Sequence, residues 1–281
     1  MIVKDKVINL ILEFAESDES VRVVMMNGSR VNSNAPKDIM QDYDVVFFID
    51  NLEELKFKKN REWISRFGKP VIVQQNDFED GSYIFLMQFD DFRIDLSFSS
   101  VLDIKEKGKE DSLSLWLLDK DDIAPEIPEP NDSTYVIKQP DEKTFDMMLN
   151  EAWWLQPYIA KGIWRDELPY VRNAYDKYFM DSIKSLVSWD IGMTNNWSVN
   201  TGTAGKWFKN FMDEEEYKEF SELYSSNDYE EIWEKLFLAG KFIRKIGTRV
   251  ADKLGYEYPM EYDVNVTEYL KKIKDNGECR M

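Results

Sequence analysis

Two aspartates separated by one residue follow a short glycine-serine turn. Gly28 and Ser29 come directly after the hydrophobic run VVMMN, twelve residues intervene, and Asp42 and Asp44 then lead into the run VVFFI. Side chains two residues apart on a strand point to the same face, about 7 Å apart along the chain. Paired carboxylates suit Mg²⁺, and the N–H groups of a Gly-Ser turn suit phosphate oxygens. The spacing therefore predicts a nucleotidyl-transfer site.

A third acid occupies a similar setting. Residues 83–100 are typical of a β-hairpin that turns near Asp90 and Asp91, and Asp95 falls on the polar face of its second arm. A carboxylate in such a hydrophobic context needs a partner. Asp95 is therefore a candidate metal ligand, a candidate general base, or both, and a simple surface ion pair with Arg93 is the alternative.

The residue types that are missing narrow the chemistry. The chain has no histidine and one cysteine, Cys279. This excludes Ser-His and Cys-His nucleophile pairs, cysteine-based zinc sites and an intrachain disulfide. Proton transfer then depends on Asp, Glu, Lys, Tyr or water. A metal would be a hard ion held by oxygen, which again indicates Mg²⁺.

Charge and hydropathy limit the partners. The 281 residues carry a formal net charge of −18, which argues against nucleic-acid binding and favours cationic ligands, although solubility explains an acidic surface equally well. No apolar run approaches the roughly 20 residues needed to span a bilayer. Residues 3–17 predict an amphipathic helix rather than a signal peptide. We expect a cytoplasmic protein with no membrane or nucleic-acid partner, and its oligomeric state stays open.

The first half of the chain is predicted to contain both strands and helices, which position the candidate residues. We predict an α+β fold whose N-terminal domain, residues 1–130, has a mixed β-sheet. Besides the hairpin, hydrophobic runs predict strands near 21–26, 43–49 and 70–75, and residues 51–67 predict a helix. The antiparallel hairpin argues against an all-parallel sheet.

The composition changes after the sheet. Residues 121–143 contain many acids and prolines, which indicates a linker or an extended crossing. From there we expect an all-helical C-terminal domain, residues 131–281, that binds substrate. Its helical stretches are predicted near 145–159, 168–190, 204–224, 228–247 and 265–275.

Three segments together resemble a known family. NGSRVNSNAPKDIMQDYDVVFF, RIDLSF and NEAWWLQPYIAKGIWRDELPY are similar to the aminoglycoside 6-adenylyltransferases, a nucleotidyltransferase family of the streptomycin-modifying, antibiotic-resistance kind. The resemblance runs from about residue 1 to 275. It implies a nucleotidyltransferase-fold N-terminal domain and a helical C-terminal domain. It also implies transfer of AMP from ATP to the 6-hydroxyl of streptomycin.

The first motif fits that chemistry. Asp42 and Asp44, with Asp95, are expected to hold Mg²⁺ and to form the catalytic set. Gly28 and Ser29 are expected to bind the terminal phosphates of ATP. Arg30 adds a charged fork to those phosphates, or else serves as a structural ion-pair partner.

The second-half motif supplies further candidates. Lys161 and Arg165 share a helix face, which we expect to meet the triphosphate unless it is solvated surface. Asp166 and Glu167 are candidates for charge-assisted hydrogen bonds to a guanidinium-bearing drug, and a helix-end salt bridge is the alternative.

Tryptophans are the last group of candidates. Trp153, Trp154 and Trp164 are expected to include at least one ring that stacks on a cation or a sugar face. Two other functions stay open from the residues alone. One is a nucleotidyltransferase of the same fold that acts on another small-molecule or protein hydroxyl. The other is a catalytically silent nucleotide-binding module.

Overall fold

The chain has a sheet-containing first half and a helical second half. A computed structural model describes residues 5–278. The chain divides into two compact units, Met1–Thr134 and Tyr135–Met281. In the described part of the second unit, every regular element is helical. The predicted α+β class, with a mixed sheet followed by a helical half, is confirmed.

The sheet of the first unit combines both kinds of strand pairing. Its strands within the described residues are β1 Val21–Asn27, β2 Tyr43–Ile49, β3 Ile72–Asp77, β4 Tyr83–Gln88, β5 Arg93–Ser100 and β6 Ser114–Asp119. They lie in the order β3-β4-β5-β2-β1-β6. Strands β2 and β5 are parallel, and the other neighbouring pairs are antiparallel. The hairpin predicted over residues 83–100 is β4 and β5.

The alternation of side chains along β2 decides which residues reach the site. Tyr43, Val45 and Phe47 are buried in the main core of this unit, beneath helix α1, Lys6–Ser17. Asp44 lies between them on the opposite face, because side chains alternate along a strand. The hydrophobic residues that follow Asp42 therefore form the strand, and the carboxylate of Asp44 lies outside the core.

Helix α1 begins at a cap that also touches the site. The Asp5 carboxylate accepts hydrogen bonds from the N–H groups of Val7 and Ile8 at 2.9 and 3.2 Å. Such caps satisfy backbone donors that the first helical turn leaves open. The hydroxyl of Tyr43 donates to the same carboxylate at 2.8 Å. Helix α1 is thereby joined to the start of β2.

The helix predicted over residues 51–67 is wrong. The segment forms a 3-10 turn at Leu52–Glu54, a short helix α2 at Lys56–Lys59, and a 3-10 turn at Glu62–Phe67. Asn51 and Leu55 have φ values of 54° and 52°, which a continuous right-handed helix does not allow. Helix α3, Ile104–Glu110, is the last regular helix of this unit within its described residues.

The second unit is a bundle of helices around one core. Its helices within the described residues are α4 Glu142–Trp164, α5 Leu168–Arg172, α6 Met180–Thr194, α7 Glu214–Ser221, α8 Tyr229–Leu254 and α9 Met260–Glu278. A π-helical segment, Asn173–Phe179, joins α5 to α6. Asp141, Asp213 and Asp228 cap the N-termini of α4, α7 and α8. Side chains from α4, α6 and α8 dominate the core.

One predicted helix of the second unit is mostly wrong. Within residues 204–224, only α7 is a regular helix, preceded by 3-10 turns at Thr203–Gly205 and Phe208–Asn210. Ala204 and Gly205 have φ values of 56° and 76°, so the backbone cannot continue as a helix there. Cys279 and residues 3–4 of the predicted first helix lie outside the described residues.

In residues 5–278, no helix combines the length and apolar character that crossing a bilayer requires.

Candidate active site

Gly28 brings the backbone of the first turn against a carboxylate. It follows β1 directly and opens a 3-10 turn, Gly28–Arg30, with a φ of +77°. A Cβ atom at this position would lie 2.3 Å from Oδ2 of Asp44. Both the backbone conformation and the close approach therefore require glycine. The N–H of Gly28 donates to the carbonyl of Leu113 at 3.1 Å, which ties the turn to the chain just before β6.

Ser29 is held by the loop that leads to the aspartates. Nε2 of Gln41 donates to the carbonyl oxygen of Ser29 at 3.1 Å and lies 3.3 Å from its Oγ. The serine is half-buried. The turn and the segment before β2 are therefore joined by a side chain that the sequence interpretation did not identify.

Arg30 binds within the chain rather than pointing freely outward. Its guanidinium donates to the carbonyls of Gln41 and Asp42 at 2.8 and 3.1 Å, and to the Asp5 carboxylate at 3.3 Å. The same group lies 3.4 Å from the centre of the Tyr43 ring. These contacts favour the structural alternative for Arg30, because all three of its nitrogens already donate.

Asp44 and Asp95 lie side by side at the centre of the sheet. They are partners in the register of the parallel strands β2 and β5. Burial, together with the nearby charges of Asp95 and then Asp42, raises the pKa of Asp44 to about 6, against an ordinary value of 3.8. Crowded carboxylates disfavour ionisation unless a cation compensates them.

Arg93 supplies a cation at this cluster. Its Nε and one terminal nitrogen donate to the two oxygens of Asp95, each at 2.7 Å. Its Nε also lies 3.7 Å from Oδ2 of Asp42. The ion pair weighed as an alternative for Asp95 therefore exists. It does not remove Asp95 from the site, because Asp44 is its neighbour on the adjacent strand.

The tryptophans of the second-half motif divide between core and surface. Trp153 is 1% exposed and packs in the helical core, which leaves its ring no face open to a substrate. Trp154 and Trp164 are 60% and 40% exposed. Adjacent residues of a helix point in directions about 100° apart, which explains the contrast between Trp153 and Trp154.

The exposed aromatic residues of the motif line a cavity of about 480 Å³. Its walls come from the end of α4 and from α9, and consist of Trp154, Pro157, Tyr158, Lys161, Trp164, Arg165, Tyr269 and Ile273. The ammonium of Lys161 lies 4.7 Å from the centre of the Tyr158 ring. Lys161 and Arg165 thus share one face, as their spacing predicts.

Asp166 and Glu167 form the bend that follows α4. Asp166 has a φ of 56°, and the N–H groups of Asp166 and Glu167 donate to the carbonyls of Ile163 and Gly162 at 3.0 and 2.9 Å. Both side chains are exposed. The bend places two exposed carboxylates directly beyond the cavity residue Arg165, and that of Asp166 also lies beside the hydroxyl of Tyr229.

Sequence comparison with known proteins decides the family. The family model described as streptomycin adenylyltransferase matches residues 1–273. The chain belongs to the streptomycin adenylyltransferase family. This confirms the resemblance carried by the three motifs, and the mixed sheet with its helical second half is consistent with the nucleotidyltransferase fold of that family.

Relatives in this family match over nearly their whole length. An aminoglycoside 6-adenylyltransferase of Bacillus subtilis (strain 168) is 31% identical over 96% of this chain and 97% of its own. One from Campylobacter jejuni is 30% identical over 96% and 95%. A crystal structure of an aminoglycoside 6-adenyltransferase from Bacillus subtilis aligns at 26% identity and a TM-score of 0.49, covering 96% of this chain and 97% of that one. The family assignment rests on the sequence matches.

The side chains of Asp42, Asp44 and Asp95, which form the acidic cluster, offer only hard oxygen donors to a metal ion. Among residues 5–278, no group of three or more ligating side chains is gathered closely enough to hold a metal ion in this conformation. Mg²⁺, however, is usually bound by one or two carboxylates together with substrate phosphates and water. The buried Oδ1 of Asn27, opposite Asp44 in the β1–β2 register, has no hydrogen-bond partner. Asp42, Asp44 and Asp95 therefore fit Mg²⁺ that arrives with a triphosphate.

Several residues of the cluster escaped sequence reasoning. Gln41 and Asn27 carry no motif of their own, and only their contacts with Ser29 and Asp44 bring them to the site. Arg93 was recognised only as a possible ion-pair partner. Its position two residues before Asp95 on one strand was the available signal.

Proposed function

We propose that the chain transfers AMP from ATP to a hydroxyl of an aminoglycoside, the 6-hydroxyl of streptomycin, and releases pyrophosphate. The observation that supports this most directly is the pairing of Asp44 with Asp95 beside the Gly28 turn, in a chain of the streptomycin adenylyltransferase family. The curated relatives are named for the same reaction type.

The transfer requires one bond to form and one to break at the α-phosphorus. The acceptor hydroxyl oxygen attacks this atom, its proton passes to a base, and the bond to the leaving pyrophosphate breaks. Mg²⁺ bound with the triphosphate would neutralise charge on the phosphate oxygens. Ser29 would bind the terminal phosphates through its hydroxyl, and Asp42 and Asp44 would hold the Mg²⁺ that accompanies the donor.

Asp95 is the proposed proton acceptor, and ligation of a second metal is its alternative role. An Asp95→Asn variant distinguishes them by its kinetics. A base contributes to turnover more than to ground-state binding, so kcat should fall while the drug KM changes little. Equal loss of kcat and of drug binding would assign Asp95 to binding.

The helical unit is the proposed source of substrate contacts. The cavity of Trp154, Lys161, Trp164 and Arg165 combines aromatic faces with two cations, which suits the anionic donor ATP. The exposed Asp166–Glu167 bend and the net charge of −18 suit a cationic aminoglycoside.

The test is pyrophosphate release from ATP and Mg²⁺ across a panel of aminoglycosides, with product masses measured. We expect streptomycin-dependent release and a product heavier by one AMP. The control is an Asp44→Asn variant of normal circular dichroism, which should be inactive. Magnesium-dependent ATP binding without release on any aminoglycoside would contradict the proposed acceptor and favour another hydroxyl. Binding without turnover on any acceptor would favour a silent nucleotide-binding module.

A further inference from the structure

Arg93 occupies the oxygens that a metal at the acidic cluster requires. Two of its nitrogens donate to both oxygens of Asp95 at 2.7 Å each, and its Nε lies 3.7 Å from Oδ2 of Asp42. Its side chain is 38% exposed, and that of Asp95 is 13% exposed. The ion pair therefore shields a largely buried carboxylate from solvent.

The position of Arg93 follows from the strand. Arg93 and Asp95 are two residues apart on β5, so their side chains share one face of the sheet. Asp44 is the partner of Asp95 on β2. One guanidinium thus lies among carboxylates that otherwise repel each other, and a planar guanidinium pairs with a carboxylate through two parallel hydrogen bonds.

A metal ion and this guanidinium compete for Asp95, because the two hydrogen bonds take up one lone pair on each oxygen and the positive charge of Arg93 repels a divalent ion. Mg²⁺ requires direct contact with its carboxylate ligands, at about 2.0–2.1 Å. In this conformation, both oxygens of Asp95 accept hydrogen bonds from Arg93.

We propose that Arg93 is an exchangeable counter-cation, which occupies Asp95 until a divalent ion displaces it. The proposal rests on the proposed function, and within it on the metal-ligand role of Asp95, because it takes Asp42, Asp44 and Asp95 as the metal ligands. Such competition multiplies the intrinsic metal affinity by the fraction of molecules in which Asp95 is not bound to Arg93, so the apparent affinity is lower. A metal that arrives with a triphosphate also brings anionic oxygens with which the displaced guanidinium can pair.

The experiment measures Mn²⁺ binding to the full chain without nucleotide, by paramagnetic resonance of the free ion. Arg93→Gln removes the competing cation, so we expect Mn²⁺ to bind at least about tenfold more tightly than in the wild type. Arg93→Lys keeps the charge but loses the two-pronged pairing, so a smaller gain is expected. Lys69→Gln, an exposed lysine in the same unit, is the matched control for loss of one positive charge, and its affinity should not change.

A second measurement shows whether the variants remain folded. Thermal unfolding in excess chelator should show a lower midpoint for Arg93→Gln than for Lys69→Gln, because the acids are left uncompensated. Added Mn²⁺ should raise the midpoint of Arg93→Gln more than that of the wild type.

The outcomes separate this proposal from the proposed function. If both Arg93 variants bind Mn²⁺ no more tightly than the wild type, the counter-cation role is overturned. If Asp44→Asn loses Mn²⁺ binding in the same experiment, the metal site itself still stands. Binding that Asp44→Asn leaves unchanged overturns the metal site itself, and the counter-cation role with it. Tighter binding in Arg93→Gln that Asp44→Asn abolishes supports both.

Discussion

Asp44 and Asp95 are direct partners on the parallel strands β2 and β5, although the β3 strand and the β3–β4 turn lie between them in the chain. Their side chains project from the same face, since paired positions of neighbouring strands share a face. The fold thus buries the carboxylate of Asp44 beside a second acid, which raises the pKa of Asp44.

Replacing Asp44 by Asn should separate stability from activity. We expect AMP transfer to fall at least about a hundredfold, because a proposed metal ligand is lost. Without metal at neutral pH, the free energy of unfolding should rise by about 1–3 kcal/mol, because a crowded charge is removed. Thermal unfolding in chelator, with pyrophosphate assays, measures both. Asp91→Asn, an exposed acid in the β4–β5 turn, is the control that should change neither.

The same carboxyl predicts a pH dependence of the metal-free protein. Burial, Asp95, Asp42 and Asp111 raise the pKa of Asp44 to about 6, and Arg93 opposes them. Between about pH 4 and pH 6, the folded state then binds a proton that the unfolded chain releases, so this group makes stability fall as pH rises. Urea unfolding should show the stability advantage of Asp44→Asn growing across that window and levelling above it. An advantage independent of pH would contradict the assignment.

Gly28 allows a test of close approach against backbone strain. Gly28→Ala combines a φ of +77° with a Cβ placed 2.3 Å from Oδ2 of Asp44. Gly81→Ala has a similar φ of +82° and no atom within 4 Å of its Cβ. Both variants should lose about 1 kcal/mol or more of stability from strain. Only Gly28→Ala should also lose activity, measured as pyrophosphate release; comparable activity loss in both would show that strain alone matters.

Arg30 offers a choice between a nucleotide ligand and a structural anchor. Its bonds to the carbonyls of Gln41 and Asp42 predict that Arg30→Gln lowers the free energy of unfolding by about 1–3 kcal/mol. Thermal unfolding and the KM for ATP decide between the roles. Arg66→Gln, an exposed arginine of the same unit, serves as the control. An unchanged unfolding midpoint with a raised KM for ATP would instead favour the nucleotide ligand.

Adjacent tryptophans should behave in opposite ways. Trp153→Ala removes a side chain that is 1% exposed and should cost about 3–5 kcal/mol of stability. Trp154→Ala removes one that is 60% exposed and should change stability by less than about 1 kcal/mol while raising a substrate KM. Denaturant unfolding and steady-state kinetics measure the two effects. Unchanged kinetics in Trp154→Ala would remove that ring from the substrate site.

The local pattern of the sequence was sufficient for five of the six described strands, all but β6, and for the type of chemistry. Side chains alternate between the two faces of a strand, and the neighbours of Asp44 and of Asp95 in the chain are hydrophobic. The two carboxylates are therefore predicted to lie outside the core. The absence of histidine limits the candidate ligands to oxygen donors. The same reasoning failed at residues 51–67, where positive φ values at Asn51 and Leu55 break a segment with helical periodicity.

The tertiary structure alone decided which of these residues meet. The neighbours of a strand in a sheet depend on long-range pairing, which local periodicity does not encode. That pairing sets Asp44 beside Asp95 and brings Arg93 near Asp42, whereas Arg93 and Asp95 already share one face of β5. Likewise, only the packing of the helices shows that Trp153 fills the core and that Trp154 faces solvent. The sequence by itself determined which groups are available, and packing determined their distances, because burial and register depend on the whole fold.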